Sequence, residues 1–290
     1  MTEPTEPDRR RCAYRVAYDG REYAGFQRQP HAETVEGTLL SALAELGIVD
    51  RGDGPTHATP SGYAAAGRTD AGVSAVAQTI AFDAPRWLTA RAFNGTLPGA
   101  IRVWAAADVP REFHATHHAT GRTYRYYLHA PSNGGGSCED RLHDALARLS
   151  GSHDFRNLTP DDHGTARDLH ASARREGAFL VIEISADGFP RALVRRLVAA
   201  ARLVATGRAD PSFLDRVLDP EPLPGHLGVG PAAPEPLVLW DVTYRNVRFE
   251  IDEEAASSAR AAFDDRHREA SRAAAVTGAI RDRIDTGARD

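Results

Sequence analysis

The sequence contains no lysine, and all 35 of its basic residues are arginines. Because this absence extends over the whole chain, it indicates a genome-wide bias, such as GC-rich coding or a high-salt cytoplasm, rather than a function.

Only two cysteines occur, Cys12 and Cys138, and they do not form a CxxC pair. The sequence therefore offers neither a zinc ribbon nor a disulfide framework.

Long hydrophobic runs are also absent. No run of about 18 apolar residues occurs, so we expect no membrane-spanning helix. The polar residues before Cys12 lack the apolar stretch of a secretory signal, and a cytoplasmic protein without membrane association is therefore expected.

The net charge of −5 is unevenly distributed along the 290 residues. Residues 1–8 hold three acids and no base, and residues 250–290 hold ten acids against seven arginines. The remaining residues, 9–249, hold 27 acids and 28 arginines. A chain with this distribution can carry a local basic face for a nucleic acid despite its acidic net charge.

Hydrophobic periodicity predicts an α+β fold, in which two successive units have a similar order of elements. In the first unit the patterns predict strands over 12–19, 63–66, 76–83 and 101–109, and helices over 34–46 and 88–96. In the second they predict strands over 120–130, 167–175, 179–186 and 237–244, and helices over 140–149 and 190–206. Thr34 is the expected N-cap of the first helix, and Pro190 is expected in the first turn of the last one.

These patterns divide the chain into four parts. They are a polar N-terminal tail (1–11), an N-terminal α+β domain (12–110), a C-terminal α+β domain (111–250) and an acidic, arginine-rich C-terminal extension (251–290). The extension has few large apolar residues, which predicts a solvated helix or a partly disordered tail. Residues 50–62 and 131–139 are rich in glycine with proline or serine, which predicts loops.

The most unusual segment is residues 67–73, with the sequence Gly-Arg-Thr-Asp-Ala-Gly-Val. Two glycines bracket Arg68 and Asp70 directly after a short apolar strand, and glycine permits close approach of a ligand to the backbone. An arginine two residues before a carboxylate can hold it in its ionised form. Taken alone, the pattern is more typical of a turn with a surface ion pair.

The segment resembles, without a break, the G-R-T-D-A-G-V signature of the TruA-type tRNA pseudouridine synthases. The chain resembles in particular the archaeal-like tRNA pseudouridine(38–40) synthases, because further segments match in the same order. They are Tyr18-Asp19-Gly20 with Gly25-Phe26-Gln27-Arg28-Gln29, Asn94–Pro98, Phe113–Ala115 with Ala119-Thr120 and Tyr124–Tyr126, Asp154-Phe155, and Val194-Arg195 with Leu237–Tyr244. Six collinear matches are far more specific than any single motif.

The resemblance implies a fold and an activity. The fold would be two similar RRM-like or ferredoxin-like α+β domains, whose mainly antiparallel sheets join into one large sheet with the active-site cleft between them. The activity would be that of an isomerase, an intramolecular transferase that converts uridine to pseudouridine at positions 38, 39 and 40 of the tRNA anticodon stem-loop. The resemblance also implies a homodimer and no cofactor.

Individual roles follow from the matching positions. The resemblance implies that Asp70 is the catalytic nucleophile, that Arg195 pairs with it and holds it, and that Tyr124 stacks on the flipped uracil and helps to remove the C5 proton. Arg68 would meet phosphate or the target nucleotide. The other expected substrate-binding residues are Gln27, Arg28, Arg122 and Arg125.

Two of the matching segments also carry patterns of their own. Residues 121–127 interleave arginine with tyrosine, which suits phosphate contact and base stacking but is equally typical of a half-buried strand. On a helix over 190–206, Arg191, Arg195 and Arg202 fall on one face at about 100° per residue. We expect Arg191 and Arg202 on a solvated face and Arg195 in the site.

Three histidines, His114, His117 and His118, raise the question of a metal. In a strand His114 and His118 share a face that excludes His117, and no cysteine or acid has ligand spacing, so no metal site is expected.

Three alternatives stay open: a non-catalytic RNA-binding module on the same fold, the same chemistry on another RNA site, and a histidine-dependent metalloenzyme. The chemical route also stays open between attack on C1′, removal of the C2′ proton and addition to C6 of the base.

Overall fold

The computed structural model describes residues 8–50, 58–131, 136–224 and 228–287. Its strands are β1 (Arg9–Tyr18), β2 (Ala64–Ala65), β3 (Ser74–Pro85), β4 (Ile101–Asp108), β5 (Ala119–His129), β6 (Gly151–Asp154), β7 (Ala166–Glu176), β8 (Phe179–Ala186), β9 (Leu237–Tyr244) and β10 (Glu250–Ile251). Its helices are α1 (Val35–Glu45), α2 (Ala90–Asn94), α3 (Gly136–Leu149), α4 (Leu193–Ala205), α5 (Ser212–Val217) and α6 (Glu253–Gly287).

The described strands form one ten-stranded sheet with the order β10-β4-β1-β3-β9-β5-β8-β7-β6, and β2 pairs with β3. The two halves of the sheet meet at β9, which is parallel to β3 and antiparallel to β5. The other pairings between these strands are antiparallel. The expected α+β fold, with mainly antiparallel sheets joined into one, is therefore confirmed.

Each half of the sheet buries its own apolar cluster. The first cluster contains Tyr14, Phe82 and Phe93, together with the apolar face of α1. The second contains the apolar faces of α3 and α4, packed against β5, β7 and β8. Full burial of one large apolar side chain, such as that of Phe82, stabilises the fold by about 1.5–3 kcal/mol. Tyr124 on β5 packs against both clusters and so lies where the halves meet.

The predicted strands and helices are present, but three boundaries differ from expectation by three residues or more. The strand β1 begins at Arg9, inside the segment expected to be a tail, because residues 9–11 pair with residues 83–85 of β3. The helix α3 begins at Gly136 rather than at residue 140. The expected tail residues 1–7, the loop residues 51–57 and 132–135, and residues 288–290 lie outside the described residues.

The third difference concerns the start of α4. The helix begins at Leu193 and not at Pro190. Ala192 has a left-handed backbone with φ 58°, so a right-handed helix cannot run continuously from Pro190 into Leu193. Pro190 and Arg191 instead form a turn, in which the Leu193 amide donates to the Pro190 carbonyl at 3.2 Å. The expectation that Arg191 shares a helix face with Arg195 is therefore wrong.

The C-terminal extension forms α6, so its described part is the solvated helix of the two expected forms. Its first turns are not fully solvated, since Ala255, Ala256 and Ala259 are buried. Most of the later side chains are exposed, including Val276 and Ile280. Over the described residues, none of the helices combines the length and apolar character needed to cross a membrane.

The N-cap of α1 allows a direct test of the local structure. The Thr34 hydroxyl accepts a hydrogen bond from the Gly37 amide at 3.2 Å, which confirms the expected cap. Replacing Thr34 with Ala leaves that amide without its partner, so we expect the free energy of unfolding to fall by about 1 kcal/mol in urea denaturation. Thr34→Ser keeps the hydroxyl and should lose less; equal losses in the two variants would show that the cap contributes nothing.

Candidate active site

A cleft with a volume of about 1220 Å³ opens where the two halves of the sheet meet. Its walls come from the segment between β2 and β3, from β5, and from the turn before α4 with the first turn of that helix. Asp70, Tyr124 and Arg195 all line it, although they are separated by up to 125 positions in the sequence. The fold therefore brings together the three residues expected to be catalytic.

Asp70 lies in a loop, residues 67–73, which we call the Asp70 loop. The loop is held by a supporting segment, residues 19–26, that follows β1. The Phe26 amide donates to the Thr69 carbonyl at 3.0 Å, and the Gly72 amide donates to the Tyr23 carbonyl at 3.2 Å. These bonds fix the backbone on both sides of Asp70.

Two glycines allow the supporting segment to approach the loop this closely. A Cβ atom on Gly20 would lie 2.0 Å from the Val73 carbonyl oxygen, which is far inside van der Waals contact. Gly25 has φ 100°, and a Cβ atom there would lie 3.0 Å from the Thr69 carbonyl oxygen. Only glycine satisfies both requirements, which gives a physical reason for these residues in the two matching motifs.

Asp70 and Arg195 form an ion pair inside the cleft. The Arg195 Nη1 atom donates to Asp70 Oδ2 at 2.7 Å, and its Nε atom donates to the Ala232 carbonyl at 2.7 Å. The Arg195 side chain is 16% exposed, whereas that of Asp70 is 36% exposed. The carboxylate is thus oriented by a more deeply placed guanidinium and stays accessible to a substrate.

Tyr124 is half-buried on β5 and faces the cleft. Its ring meets Phe189 edge to face, with centroids 5.4 Å apart and an interplanar angle of 85°. Burial raises the pKa of Tyr124 to about 12; the positive charge of Arg122 opposes this shift and the negative charge of Asp70 adds to it. Tyr124 is therefore a neutral phenol at neutral pH.

Three of the expected substrate-binding residues line the cleft, and they differ in their exposure and hydrogen bonding. Arg68 is exposed, and within the described parts of the chain it makes no hydrogen bond or ion pair. Gln27 is exposed at the same cleft. Arg122 also lines it, but its guanidinium donates to the backbone carbonyls of Ala66, Thr116 and Asp187 and so supports the cleft wall.

The other two expected residues, Arg28 and Arg125, do not line the cleft. Arg28 lies 3.7 Å from the Glu36 carboxylate. Arg125 is on β5 one position after Tyr124, and successive strand residues point to opposite faces of a sheet. Its guanidinium bonds to Glu183 at 2.7 Å and lies 3.7 Å above the Trp240 ring.

The cleft also contains residues that the sequence did not place there. Phe189 and Arg167 carried no assignment, and Arg191, expected on a solvated face, lines the cleft and pairs with Asp161 at 3.1 Å. A Gly-Phe-Pro tripeptide, two residues before α4, was the signal that could have located Phe189 in a turn.

His114 and His117 line the same cleft, with ring centroids 4.2 Å apart. Burial lowers the pKa of His114, and the positive charges that His117 and His118 can carry lower it further. Among the described residues, no group of three or more His, Cys, Asp or Glu side chains is arranged to hold a metal ion.

Comparisons with known proteins point to one family. Residues 145–245 match the model of a family described as tRNA pseudouridine synthase. The chain is 56% identical to tRNA pseudouridine synthase A of Natronomonas pharaonis, over 92% of this chain and 98% of that protein. Its identity to the protein of the same name from Haloarcula marismortui is 55%, over 93% and 98% of the two chains.

A more distant relative shows the same similarity. The chain is 37% identical to tRNA pseudouridine synthase A of Methanocella arvoryzae, over 84% of this chain and 88% of that protein. The alignments with the first two relatives span 92% and 93% of this chain, far more than residues 145–245. The chain therefore belongs to the tRNA pseudouridine synthase A family, has the pseudouridine synthase fold, and is an isomerase that forms pseudouridine in tRNA.

Proposed function

We propose that this isomerase acts on uridines 38, 39 and 40 of the anticodon stem-loop without a cofactor, and that Asp70 is its nucleophile. The observation that carries the proposal is the 2.7 Å ion pair between Asp70 and Arg195 inside the cleft. The assignment to the anticodon arm rests on the six segments that resemble the family. Asp70 is the one carboxylate of the Asp70 loop, and the loop's backbone is held on both sides of it.

The reaction needs only what these side chains supply. It breaks the bond between C1′ and N1 of uracil, forms a bond between C1′ and C5, and replaces the C5 proton with one on N1. No atom is gained or lost, so no redox partner or group donor takes part. Whether the carboxylate attacks C1′, removes the C2′ proton or adds to C6, it must lie beside the same nucleotide. Asp70 lines the cleft that would hold this nucleotide.

The target base must leave the anticodon stack before it can react. Flipping a base costs a few kcal/mol, which stacking on aromatic side chains and contacts with phosphate offset. Tyr124 and Phe189 provide aromatic surface in the cleft, and Arg68 is an exposed cation at its edge. We propose that Tyr124 stacks on the flipped uracil and that Arg68 binds the backbone phosphate or the target nucleotide.

Two further proposals rest on the family resemblance alone. The protein would act as a homodimer, and it would work in the cytoplasm, where its tRNA substrate is found. Analytical ultracentrifugation of the purified chain tests the first proposal. A sedimentation coefficient of a single 31.3 kDa chain at micromolar concentration would contradict it.

The RNA target is tested by mapping pseudouridine on unmodified tRNA transcripts incubated with the purified protein and no added cofactor. We expect product at positions 38 to 40 and loss of product when those uridines are replaced by cytidine. Product confined to another part of the tRNA would overturn the anticodon-arm assignment while leaving the isomerase activity intact.

Asp70 is tested by conservative replacement. Asp70→Asn keeps the shape of the side chain but removes its nucleophilic charge, so we expect no detectable pseudouridine while tRNA affinity stays within about threefold of wild type. Product is measured on a saturating transcript and affinity by filter binding. Substantial residual turnover in Asp70→Asn or Asp70→Ala would remove Asp70 from the chemistry.

Arg195 is tested against a matched arginine on the same helix. Arg195→Ala leaves the Asp70 carboxylate without its orienting partner, and turnover should fall by at least about a hundredfold. The control is Arg202→Ala, since Arg202 is exposed on α4 and does not line the cleft. Similar rates in the two variants would show that the ion pair has no part in catalysis.

The two roles expected of Tyr124, stacking on the flipped uracil and helping to remove the C5 proton, are separated by a pair of variants. Tyr124→Phe keeps the stacking ring but loses the hydroxyl, and we expect turnover to fall about a hundredfold with little change in KM for tRNA. Tyr124→Leu also loses the ring and should raise KM in addition. A fully active Tyr124→Phe would restrict the residue to stacking.

A further inference from the structure

We propose that Arg266, on the C-terminal helix α6, is a positioning residue for the reaction, which holds the Asp70 loop in place through Asp19. The inference rests on the proposed role of Asp70. Arg266 and Asp19 are 247 positions apart in the chain, and the Arg266 Nε atom donates to Asp19 Oδ2 at 2.8 Å. This bond ties the extension to the supporting segment beneath the active site.

Asp19 is an enclosed carboxylate with two arginine partners. Its side chain is 9% exposed. Arg21 donates to it through Nε at 2.9 Å and Nη2 at 2.6 Å, and Arg266 approaches the same carboxylate from α6. Burial alone would raise the pKa of Asp19, but the hydrogen bonds from these arginines outweigh it and the pKa is lowered. Asp19 is therefore a charged group at a fixed position rather than a mobile surface acid.

Asp19 is linked to the Asp70 loop through the residue that follows it, Gly20. The Gly20 amide donates to the Ser74 hydroxyl at 3.0 Å. The Gly20 backbone also packs so closely on the Val73 carbonyl that no side chain fits between them. Val73 ends the Asp70 loop, and its amide donates to the Asp70 carbonyl at 3.1 Å. A shift of Asp19 would therefore displace the turn that contains Asp70.

Arg266 can fix Asp19 because α6 is itself attached to the body of the protein. Ala255, Ala256 and Ala259 in its first turns are buried, and the helix packs on β4 and α2. Asp252 caps it, accepting from the Ala255 amide at 3.0 Å, and also accepts from the Arg91 amide at 3.2 Å. The first turns of α6 are thus fixed on the body of the protein, and the helix extends from there to the supporting segment.

Arg266 differs from the other arginines of α6 in its surroundings. Its side chain is 26% exposed and also lies 3.5 Å from Glu22. Arg272, six residues further along, is exposed, and within the described residues it makes no hydrogen bond or ion pair. Loss of either arginine removes one positive charge from α6, but only loss of Arg266 frees Asp19 on that side.

The test compares steady-state kinetics of Arg266→Gln and Arg272→Gln on a tRNA transcript, beside wild type and Asp70→Asn. A small displacement of a catalytic group lowers the rate of chemistry by about tenfold to a hundredfold, without weakening substrate binding. We therefore expect kcat of Arg266→Gln to fall by about tenfold with KM unchanged, and Arg272→Gln to match wild type. Arg266→Lys keeps a donor and a charge and should recover part of the loss.

A double variant tests whether Arg266 acts through Asp19. Asp19→Asn alone should also lower kcat, and Asp19→Asn combined with Arg266→Gln should fall no further than the worse single variant. Arg21 still pairs with Asp19 when Arg266 is replaced, so the carboxylate is not left unpartnered and we expect Arg266→Gln to fold.

Three results would overturn the proposal. They are a wild-type kcat in Arg266→Gln, a rise in KM alone that Arg272→Gln reproduces, and a fall in kcat that follows the loss of folded protein measured by circular dichroism. Failure of the proposed function is distinguished from these results within the same assay, because it would appear as activity in Asp70→Asn.

Discussion

The ion pair between Asp70 and Arg195 is the interaction to which the rest of the structure is adapted. Asp70 lies in a loop from the first half of the chain, and Arg195 lies in the first turn of a helix from the second half. The 2.7 Å contact therefore requires the two halves to meet in one register, and β9 enforces this by pairing with β3 on one side and β5 on the other. Tyr124 lies at the same junction, because it packs against the apolar clusters of both halves.

A loop has few backbone hydrogen bonds of its own, so the position of a side chain on it, such as Asp70, depends on support from its surroundings. Here the supporting segment provides it through backbone contacts, which only glycine at positions 20 and 25 allows. Arg195 is held in turn by the Ala232 carbonyl. Each member of the ion pair is thus fixed by backbone groups outside the pair, and the Asp70 side chain stays 36% exposed in the cleft.

The sequence alone predicted the elements well, because strand alternation and the Thr34 cap are local signals. It misplaced the start of α4, since proline is compatible with a first helical turn and nothing local showed that Ala192 adopts a left-handed backbone.

The proximity of Asp70 and Arg195 came from the matching motifs and not from periodicity. Arg125 was grouped with Tyr124, although the two-residue strand period already separates their faces. The bond from Arg266 to Asp19 has no local signal, because it joins residues 247 positions apart.

If Asp70 is the nucleophile, the target uridine must enter the cleft and place its ribose against the Asp70 carboxylate. The most direct measurement is a crystal structure of the Asp70→Asn protein bound to an unmodified tRNA anticodon arm. We expect a flipped uridine with its ring on Tyr124 and its C1′ atom within about 3.5 Å of the residue 70 side chain, a distance from which reaction can begin. An arm bound with its uridines stacked, or with the flipped base away from residue 70, would contradict it.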